Sequence, residues 1–210
     1  MDMNLSIKNK NIGILGGAFD PIHLGHINLA IYALQETKID EIWFLPSYRP
    51  PHKNFNMFLE YHHRYEMVNI SIKNILNFKN CNFEKELCDN NILDITSTYD
   101  VLINLKKEFV NFNFYIIIGL DSLYQLDTWK NFDKLIDEFE FLVGERELNN
   151  NSYINYSILK NYKIKYKKFY NNSFNISSTE IRNKIYDINF LSKNLNKNVI
   201  KYIKDNNLYV

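Results

Sequence analysis

The chain is poor in the features that mark several large classes of protein. Its 210 residues include only two cysteines, Cys81 and Cys88. Their spacing matches neither a CxxC motif nor a zinc site, so we expect both to be reduced and structural. No apolar stretch resembles a signal peptide or is long enough to cross a membrane. The net charge of +1 gives no electrostatic footprint for nucleic acid or for an anionic membrane. We therefore expect a cytoplasmic protein that binds neither, and whose anionic ligand would be a small molecule.

Two glycine-rich nucleotide motifs are missing as well. The six glycines of the chain form neither a GxGxxG fingerprint nor a GxxxxGK[ST] P-loop. This absence argues against hydride transfer on a standard dinucleotide site and against P-loop hydrolysis. A nucleotide site in this chain would therefore be built from other motifs.

What the sequence does contain is an alternation of short apolar runs and segments with helical spacing. The apolar runs are continuous, which is typical of parallel strands covered on both faces. Because a right-handed crossover joins consecutive parallel strands, the first two are expected to be neighbours. The pattern predicts a single α/β domain over residues 1–210, with a mostly parallel sheet flanked by helices and a small helical part from about residue 177. The predicted strands are Ile12–Leu15, Glu41–Leu45, Phe83–Leu87, Phe114–Ile118 and Phe139–Val143. Helical spacing covers residues 27–34, 60–76, 98–105, 132–136, 178–185 and 199–203, and residues 145–168 fit no element.

The segment Ile12–His26, IGILGGAFDPIHLGH, has the order of strand, glycine turn and helix start that holds phosphates. Unpaired N–H groups at a helix N-terminus carry partial positive charge, and Gly16 and Gly17 let the backbone approach a bulky anion. His23 and His26 are three residues apart and share one face of the helix. Their imidazoles could donate to a triphosphate and to the charge that develops as a phosphoryl bond breaks. The alternative is a helix-capping loop with two surface histidines.

Two later segments could extend this site. The prolines of Pro50–Lys53 keep a loop extended, so the loop could close on phosphates as a cationic arm, with a mobile surface loop as the alternative. The segment Ile117–Leu123 leaves a buried strand at Gly119 and offers Asp121 to ribose hydroxyls, at the strand end where open parallel sheets bind ligands. Trp129 follows in a loop and offers a flat face to a pyridine ring, or else is a core aromatic residue.

The segment Ile176–Arg182, ISSTEIR, begins another helix. Small hydroxyl residues at its start leave N–H donors for a phosphate, and Arg182 could add charge-assisted hydrogen bonds one turn later. An ordinary N-cap with a solvated arginine is the alternative. Two phosphate-binding helix starts at opposite ends of one chain are nevertheless unexpected by chance.

These motifs resemble those of a known superfamily. Residues 17–26 carry the complete GxFDPxHxGH signature of the nucleotidyltransferases that transfer adenylyl or cytidylyl groups. The sequence PPHK, the sequence IIGLDSL with its downstream Thr128-Trp129, and ISSTEIR are similar to the nicotinate mononucleotide adenylyltransferase branch.

The resemblance implies a Rossmann-like nucleotidyltransferase domain that joins ATP and nicotinate mononucleotide into nicotinate adenine dinucleotide and pyrophosphate, in NAD biosynthesis. Mg²⁺ would be carried by the ATP phosphates, with no metal held by protein side chains. A homo-oligomer is left open. The implied catalytic residues are His23, His26, Lys53 and Arg182. The implied ATP-binding residues are Gly16, Gly17, Ala18, Phe19, Gly25, Gly119, Asp121, Ile176, Ser178 and Thr179. The implied mononucleotide-binding residues are Asp20, His52, Thr98 and Trp129.

The chain departs from the family at one place. The family carries Ser-Tyr-Thr ahead of the helix that meets the pyridine carboxylate, and this chain has Thr96-Ser97-Thr98. Thr98 retains the threonine, whereas Ser97 stands where the family has tyrosine. The preference for the acid over the amide is therefore left open. The alternatives are nicotinamide mononucleotide or phosphopantetheine as acceptor, or a non-catalytic nucleotide sensor.

Overall fold

A six-stranded sheet forms the centre of the protein. The computed structural model describes residues 9–48, 58–90, 97–145, 161–170 and 176–210. The strand order is β3-β2-β1-β4-β5-β6, and every pair of neighbouring strands is parallel. The strands are β1 (Lys10–Gly17), β2 (Glu41–Pro46), β3 (Phe78–Asn80), β4 (Phe112–Gly119), β5 (Glu140–Glu145) and β6 (Tyr166–Tyr170). The predicted α/β fold and the pairing of the first two strands are confirmed.

Helices connect the strands and cover both faces of the sheet. They are α1 (Leu24–Glu36), α2 (Tyr61–Ile72), α3 (Phe83–Asp89), α4 (Thr98–Glu108), α5 (Leu120–Leu123), α6 (Phe132–Glu138), α7 (Ser178–Asn183), α8 (Ile188–Asn194) and α9 (Lys197–Asp205), with a 3₁₀ turn at Leu126–Thr128. No helix in the described ranges is both long enough and apolar enough to span a bilayer.

Alternate residues of the central strands enter two hydrophobic clusters, one on each side of the sheet. In β4, Ile117 joins the cluster that contains residues of α1, α2, α7 and α9, and Ile116 and Ile118 join the cluster of α3, α4 and α6. Side chains of a strand point alternately to its two faces, so a strand buried on both sides needs an unbroken apolar run. This explains why the predicted strands were continuous in sequence.

One predicted strand, Phe83–Leu87, is wrong, because this segment begins α3. Phe83 and Leu87 are four residues apart and both are buried, so they lie on one face of a helix, and the intervening Glu and Lys residues favour helix over strand. The strand that pairs with β2 is instead β3, only three residues long. Residues 166–170, which begin inside the unassigned region 145–168, form β6.

The carboxyl ends of β1, β2 and β4 lie side by side in the sheet. Gly17 pairs with Pro46 in the register of β1 and β2, and the backbone N–H of Ser47 donates to the Gly17 carbonyl at 2.9 Å. The strand order reverses direction around β1 and β4, and open parallel sheets bind ligands outside the carboxyl ends of the strands at such a point.

Candidate active site

A cavity of about 530 Å³ opens at this edge of the sheet. Its described wall includes Gly16 and Gly17, which form the end of β1 and not the turn that the sequence predicted. The wall also includes the start of α1, the start of α4, the end of β4 and the start of α7. Most residues predicted for the site contribute to this wall, namely Gly16, Gly17, Ala18, His23, Gly25, His26, Thr98, Gly119, Trp129, Ile176 and Ser178.

The histidine pair lies at the first turn of α1. His23 is the N-cap residue, with an extended backbone, and only 7% of it is exposed. Its backbone N–H donates to Nδ1 of His26 at 3.2 Å, and the two imidazole rings stack with centroids 3.7 Å apart. The structure therefore brings the two histidines to one helix end, as the spacing predicted.

The hydrogen bond to His26 determines which nitrogen of its ring carries the proton. A backbone N–H can only donate, so Nδ1 of His26 is an acceptor and holds no proton. Burial, and then the neighbouring His23, lower the pKa of His26 well below its usual value of 6.5. His26 is thus neutral near pH 7, with its proton on Nε2. The ring offers one N–H donor and cannot act as an additional cation.

Phe19 packs against His26. Its backbone has a left-handed φ of 48°, and its buried ring contacts the ring of His26 edge to face, with centroids 5.0 Å apart. Gly25 is needed for the same packing, since a Cβ there would lie 2.9 Å from Nδ1 of His23. Phe19 is therefore a support for the site, and it does not appear in the described wall of the cavity.

A buried arginine ties the site's loops together. Arg64 of α2 is 2% exposed, and its guanidinium donates to the carbonyls of Ala18 at 2.7 Å, Ser47 at 2.8 Å and Leu59 at 2.9 Å. Burial lowers the pKa of Arg64, and the nearby Asp20 opposes that effect. The sequence interpretation missed this residue. Its spacing from Met67 and Val68, both buried, could have identified it as part of the inward face of α2.

The second signature helix is bonded directly to the first signature loop. Ser177 caps α7 by accepting from the N–H of Glu180 at 3.1 Å. The hydroxyl of Ser178 donates to the carbonyl of Pro21 at 2.8 Å, and Nη1 of Arg182 donates to the carbonyl of Asp20 at 2.6 Å. Two motifs about 160 residues apart in sequence therefore form one structural unit beside the cavity.

Asp20, predicted to bind the mononucleotide, is buried in the structure. It is 1% exposed, and its Oδ1 accepts a hydrogen bond from the hydroxyl of Tyr209 at 2.7 Å. Its Oδ2 lies 3.9 Å from Nη1 of Arg182. The carboxylate therefore faces Tyr209 and Arg182, and Asp20 is not among the residues of the described cavity wall.

The other end of the cavity is formed by α4 and the loop before α6. Ser97 caps α4, since its Oγ accepts from the N–H of Asp100 at 3.2 Å and donates to Oδ2 of the same residue at 2.7 Å. Trp129 is half-buried against the cluster of α3, α4 and α6, and it also lines the cavity. Trp129 thus combines the two interpretations that the sequence left open, a core residue and a wall for a ligand.

The remaining predicted residues fall into three groups. Thr179 and Arg182 lie beside the cavity, where Nη2 of Arg182 donates to Oγ1 of Thr179 at 3.2 Å. His52 and Lys53 fall outside the described residues. Asp121 lies in α5, but its side chain is outside the description.

The wall also contains a carboxylate that the sequence interpretation did not select. Glu84 is buried and lines the cavity from α3, the helix that was predicted to be a strand. Among the described lining residues it is the only carboxylate. The described parts of the chain contain no group of three or more His, Cys, Asp or Glu residues that could hold a metal ion.

The family model, two relatives and two solved structures that match this chain are all nucleotidyltransferases by name. The sequence model of the cytidylyltransferase-like family matches residues 14–184. A protein of Clostridium acetobutylicum named probable nicotinate-nucleotide adenylyltransferase is 33% identical over 208 residues, which cover 96% of this chain and 100% of the relative. A protein of Clostridium botulinum with the same name is 36% identical over 203 residues, which cover 95% of this chain and 98% of the relative. The structure of Plasmodium falciparum nicotinic acid mononucleotide adenylyltransferase complexed with NaAD superposes with a TM-score of 0.79 at 30% identity, covering 95% of this chain and 97% of that one. The same Plasmodium enzyme complexed with APC superposes with a TM-score of 0.76.

Proposed function

The chain belongs to the cytidylyltransferase-like family and, within it, to the nicotinate-nucleotide adenylyltransferases, and from this premise we propose how its residues carry out adenylyl transfer. The reaction joins ATP and nicotinate mononucleotide and yields nicotinate adenine dinucleotide and pyrophosphate, a step of NAD biosynthesis. The observation that carries the proposal is the junction of the two signatures, through Ser178 and Arg182, beside one cavity that also contains the histidine pair.

The reaction is an in-line displacement at phosphorus. An oxygen of the mononucleotide's 5′-phosphate attacks the α-phosphorus of ATP, a new P–O bond forms, and the bond to the β-phosphate oxygen breaks. The electron pair of that bond leaves with pyrophosphate. A phosphate monoester is largely ionised near neutral pH, so the attack needs no strong general base. Catalysis then depends on positioning and on stabilising charge.

His26 is proposed as a fixed hydrogen-bond donor in this reaction. Its neutral ring is oriented by the N–H of His23 and by the edge of Phe19, which leaves Nε2–H to meet an oxygen of the triphosphate. A donor that is already oriented costs no reorganisation when charge develops on the phosphoryl oxygens. His23 is assigned to the same triphosphate.

The leaving pyrophosphate is assigned to the second signature. Arg182, Ser178 and Thr179 would bind it, because a guanidinium and two hydroxyls at a helix start suit phosphate oxygens. Lys53, with His52, would steady the attacking phosphate. The adenosine part of ATP is assigned to the glycines at the ends of β1 and β4, with Asp121 accepting from the ribose hydroxyls.

The pyridine ring is assigned to the other end of the cavity. Trp129 offers a flat face for stacking, and Thr98 with nearby backbone N–H groups would meet the carboxylate. Glu84 lines the same cavity, and the preference for the acid over the amide is tested by comparing the two mononucleotides as acceptors.

Mg²⁺ is proposed to enter with ATP. The described residues at the signature end of the cavity are chiefly nitrogen and hydroxyl donors, which suit phosphate anions better than a cation. Mg²⁺ commonly binds substrate phosphates together with water, and when bound it neutralises part of their charge. We also propose that the enzyme acts in the cytoplasm, that its ligands are small molecules and not nucleic acid, and that residues 1–210 form one domain.

The test is pyrophosphate release from ATP, Mg²⁺ and nicotinate mononucleotide, compared between the wild type and His26→Ala. We expect the variant to lose about 100-fold or more in turnover, as for removal of an oriented donor to a developing oxyanion, while its circular dichroism stays that of a folded protein. The matched control is His62→Ala, which removes an exposed histidine of α2 and should leave turnover unchanged. Unchanged turnover in His26→Ala would contradict the assignment.

A further inference from the structure

Tyr209 follows the last described helix, α9, and carries a hydroxyl that reaches the first signature loop. The preceding Leu208 is buried, and its N–H donates to the carbonyl of Ile203 at 3.0 Å, so the segment is anchored on α9. The Tyr209 hydroxyl then donates to Oδ1 of Asp20 at 2.7 Å. Tyr209 lies outside all the signature motifs of the family.

The buried Asp20 carboxylate is held unevenly. Its Oδ1 has the Tyr209 hydroxyl, whereas its Oδ2 accepts no hydrogen bond from the described residues. Arg182 forms a long ion pair with this carboxylate: its Nη1 lies 3.9 Å from Oδ2, beyond hydrogen-bond distance, and donates to the Asp20 carbonyl at 2.6 Å. Arg64 also lies near Asp20, but its guanidinium donates to three backbone carbonyls. Because Oδ2 is only 3.9 Å from Nη1, a small rotation of the carboxylate would bring the two atoms within hydrogen-bond distance. Such a charge-assisted hydrogen bond is stronger than a bond between neutral groups.

We propose that Tyr209 is a positioning residue for pyrophosphate, which acts by keeping the Asp20 carboxylate from forming a hydrogen-bonded ion pair with Arg182. The inference rests on the proposed role of Arg182 toward pyrophosphate. With the hydroxyl present, the guanidinium is held by the Asp20 carbonyl and by Oγ1 of Thr179, and its remaining N–H groups stay available for phosphate oxygens. Without the hydroxyl, the carboxylate turns to Arg182 for a partner and competes with pyrophosphate.

The experiment measures Tyr209→Phe in the reverse reaction, in which pyrophosphate attacks the adenylyl phosphorus of nicotinate adenine dinucleotide and releases nicotinate mononucleotide. We expect the KM for pyrophosphate to rise about tenfold, the effect of losing one hydrogen bond to a charged group, while the KM for nicotinate adenine dinucleotide changes less than about twofold. The matched control, Tyr202→Phe, removes a hydroxyl that lies 2.9 Å from Nδ1 of His63, and it should leave both values unchanged.

Two double variants separate positioning from a general structural effect. In an Arg182→Ala background, Tyr209→Phe should add no further rise in the KM for pyrophosphate, because the group through which it acts is gone. In an Asp20→Asn background it should also add little, less than about twofold, because the neutral amide no longer competes as an anion. The Asp20→Asn background also removes the buried charge, so this pair keeps the test valid if Tyr209→Phe alone does not fold.

The outcomes are distinct. An unchanged KM for pyrophosphate in Tyr209→Phe, an equal rise for both substrates, or an equal further rise in the Arg182→Ala background would overturn the inference. If the wild type neither releases nor consumes pyrophosphate, the proposed function is contradicted, and the positioning role is tested separately. Calorimetric titration of pyrophosphate into the wild type and Tyr209→Phe then tests the positioning role alone: an unchanged Kd contradicts it, and a weaker Kd supports it.

Discussion

Removal of the Arg64 guanidinium tests how the loops around the cavity are held. Arg64→Met keeps a side chain of similar length and an apolar stem, but it removes all the donors that reach Ala18, Ser47 and Leu59. Three carbonyls, one each from the loop after β1, the segment after β2 and the approach to α2, would lose their partner together. We expect the variant to be less stable and less active.

The magnitude follows from what those carbonyls lose. Each carbonyl left without a partner costs about 1–3 kcal/mol when it is buried. The three are only part-buried here, so water can reach some of them and the lower end applies. We expect a loss of about 3 kcal/mol in the free energy of unfolding, against a total of about 5–15 kcal/mol for a typical domain.

The assay is urea denaturation, monitored by tryptophan fluorescence. Turnover is measured without urea on the same protein preparations. The control is Lys73→Met, which removes an exposed cation at the end of the same helix and should change stability by less than about 0.5 kcal/mol. A loss below about 1 kcal/mol in Arg64→Met, with turnover retained, would refute the reasoning that this arginine fixes the loops.

Three further predictions concern packing and titration. Gly25→Ala places a Cβ 2.9 Å from the ring of His23, a group that we propose to be catalytic. We expect turnover, measured as pyrophosphate release, to fall about 100-fold, because displacing such a group by about 1 Å has an effect of that size. Wild-type turnover would contradict this packing. The folded pKa of His26 is lowered by burial and then by His23, so the unfolded chain binds a proton first as pH falls below 6.5. The free energy of unfolding, measured by urea titration, should therefore decrease as pH falls below 6.5, and it should decrease less steeply in His26→Gln. The same pH dependence in the variant and the wild type would refute this. Burial raises the pKa of Glu41, but hydrogen bonds from two lysines and a tryptophan outweigh it and bring the pKa to about 2. Glu41 thus stabilises the fold above its ordinary pKa of 4.5 and loses this effect as pH falls through about 2. Glu41→Gln should be less stable than the wild type at pH 7, with the difference vanishing near pH 2, and equal stability at pH 7 would argue against the network.

The fold was predictable wherever a strand is covered on both faces. Ile116, Ile117 and Ile118 alternate between two clusters, which requires a continuous apolar run that the sequence displays directly. The helix starts of the two signature segments were predictable because glycines, histidines and hydroxyl residues mark them in the sequence. Their binding of phosphate stays a prediction. The segment Phe83–Leu87 was mispredicted as a strand because only two apolar residues mark it, and their spacing of four, which is helical, was not weighed.

The contacts that join distant parts of the chain were not predictable. Arg64 meets three carbonyls from separate segments, and no local pattern indicates which backbone groups need a donor. The bond between Tyr209 and Asp20 joins residues 189 positions apart. Asp20 was predicted to contact the mononucleotide because its motif suggested a ligand, whereas the fold buries its carboxylate against Tyr209.

The acceptor comparison tests the central claim most directly. Pyrophosphate release with ATP and Mg²⁺ is measured side by side with nicotinate mononucleotide, nicotinamide mononucleotide and phosphopantetheine at equal concentrations. The account predicts rapid release with nicotinate mononucleotide, slower release with the amide, and none with phosphopantetheine. Absence of release with nicotinate mononucleotide, or faster release with phosphopantetheine, would contradict it.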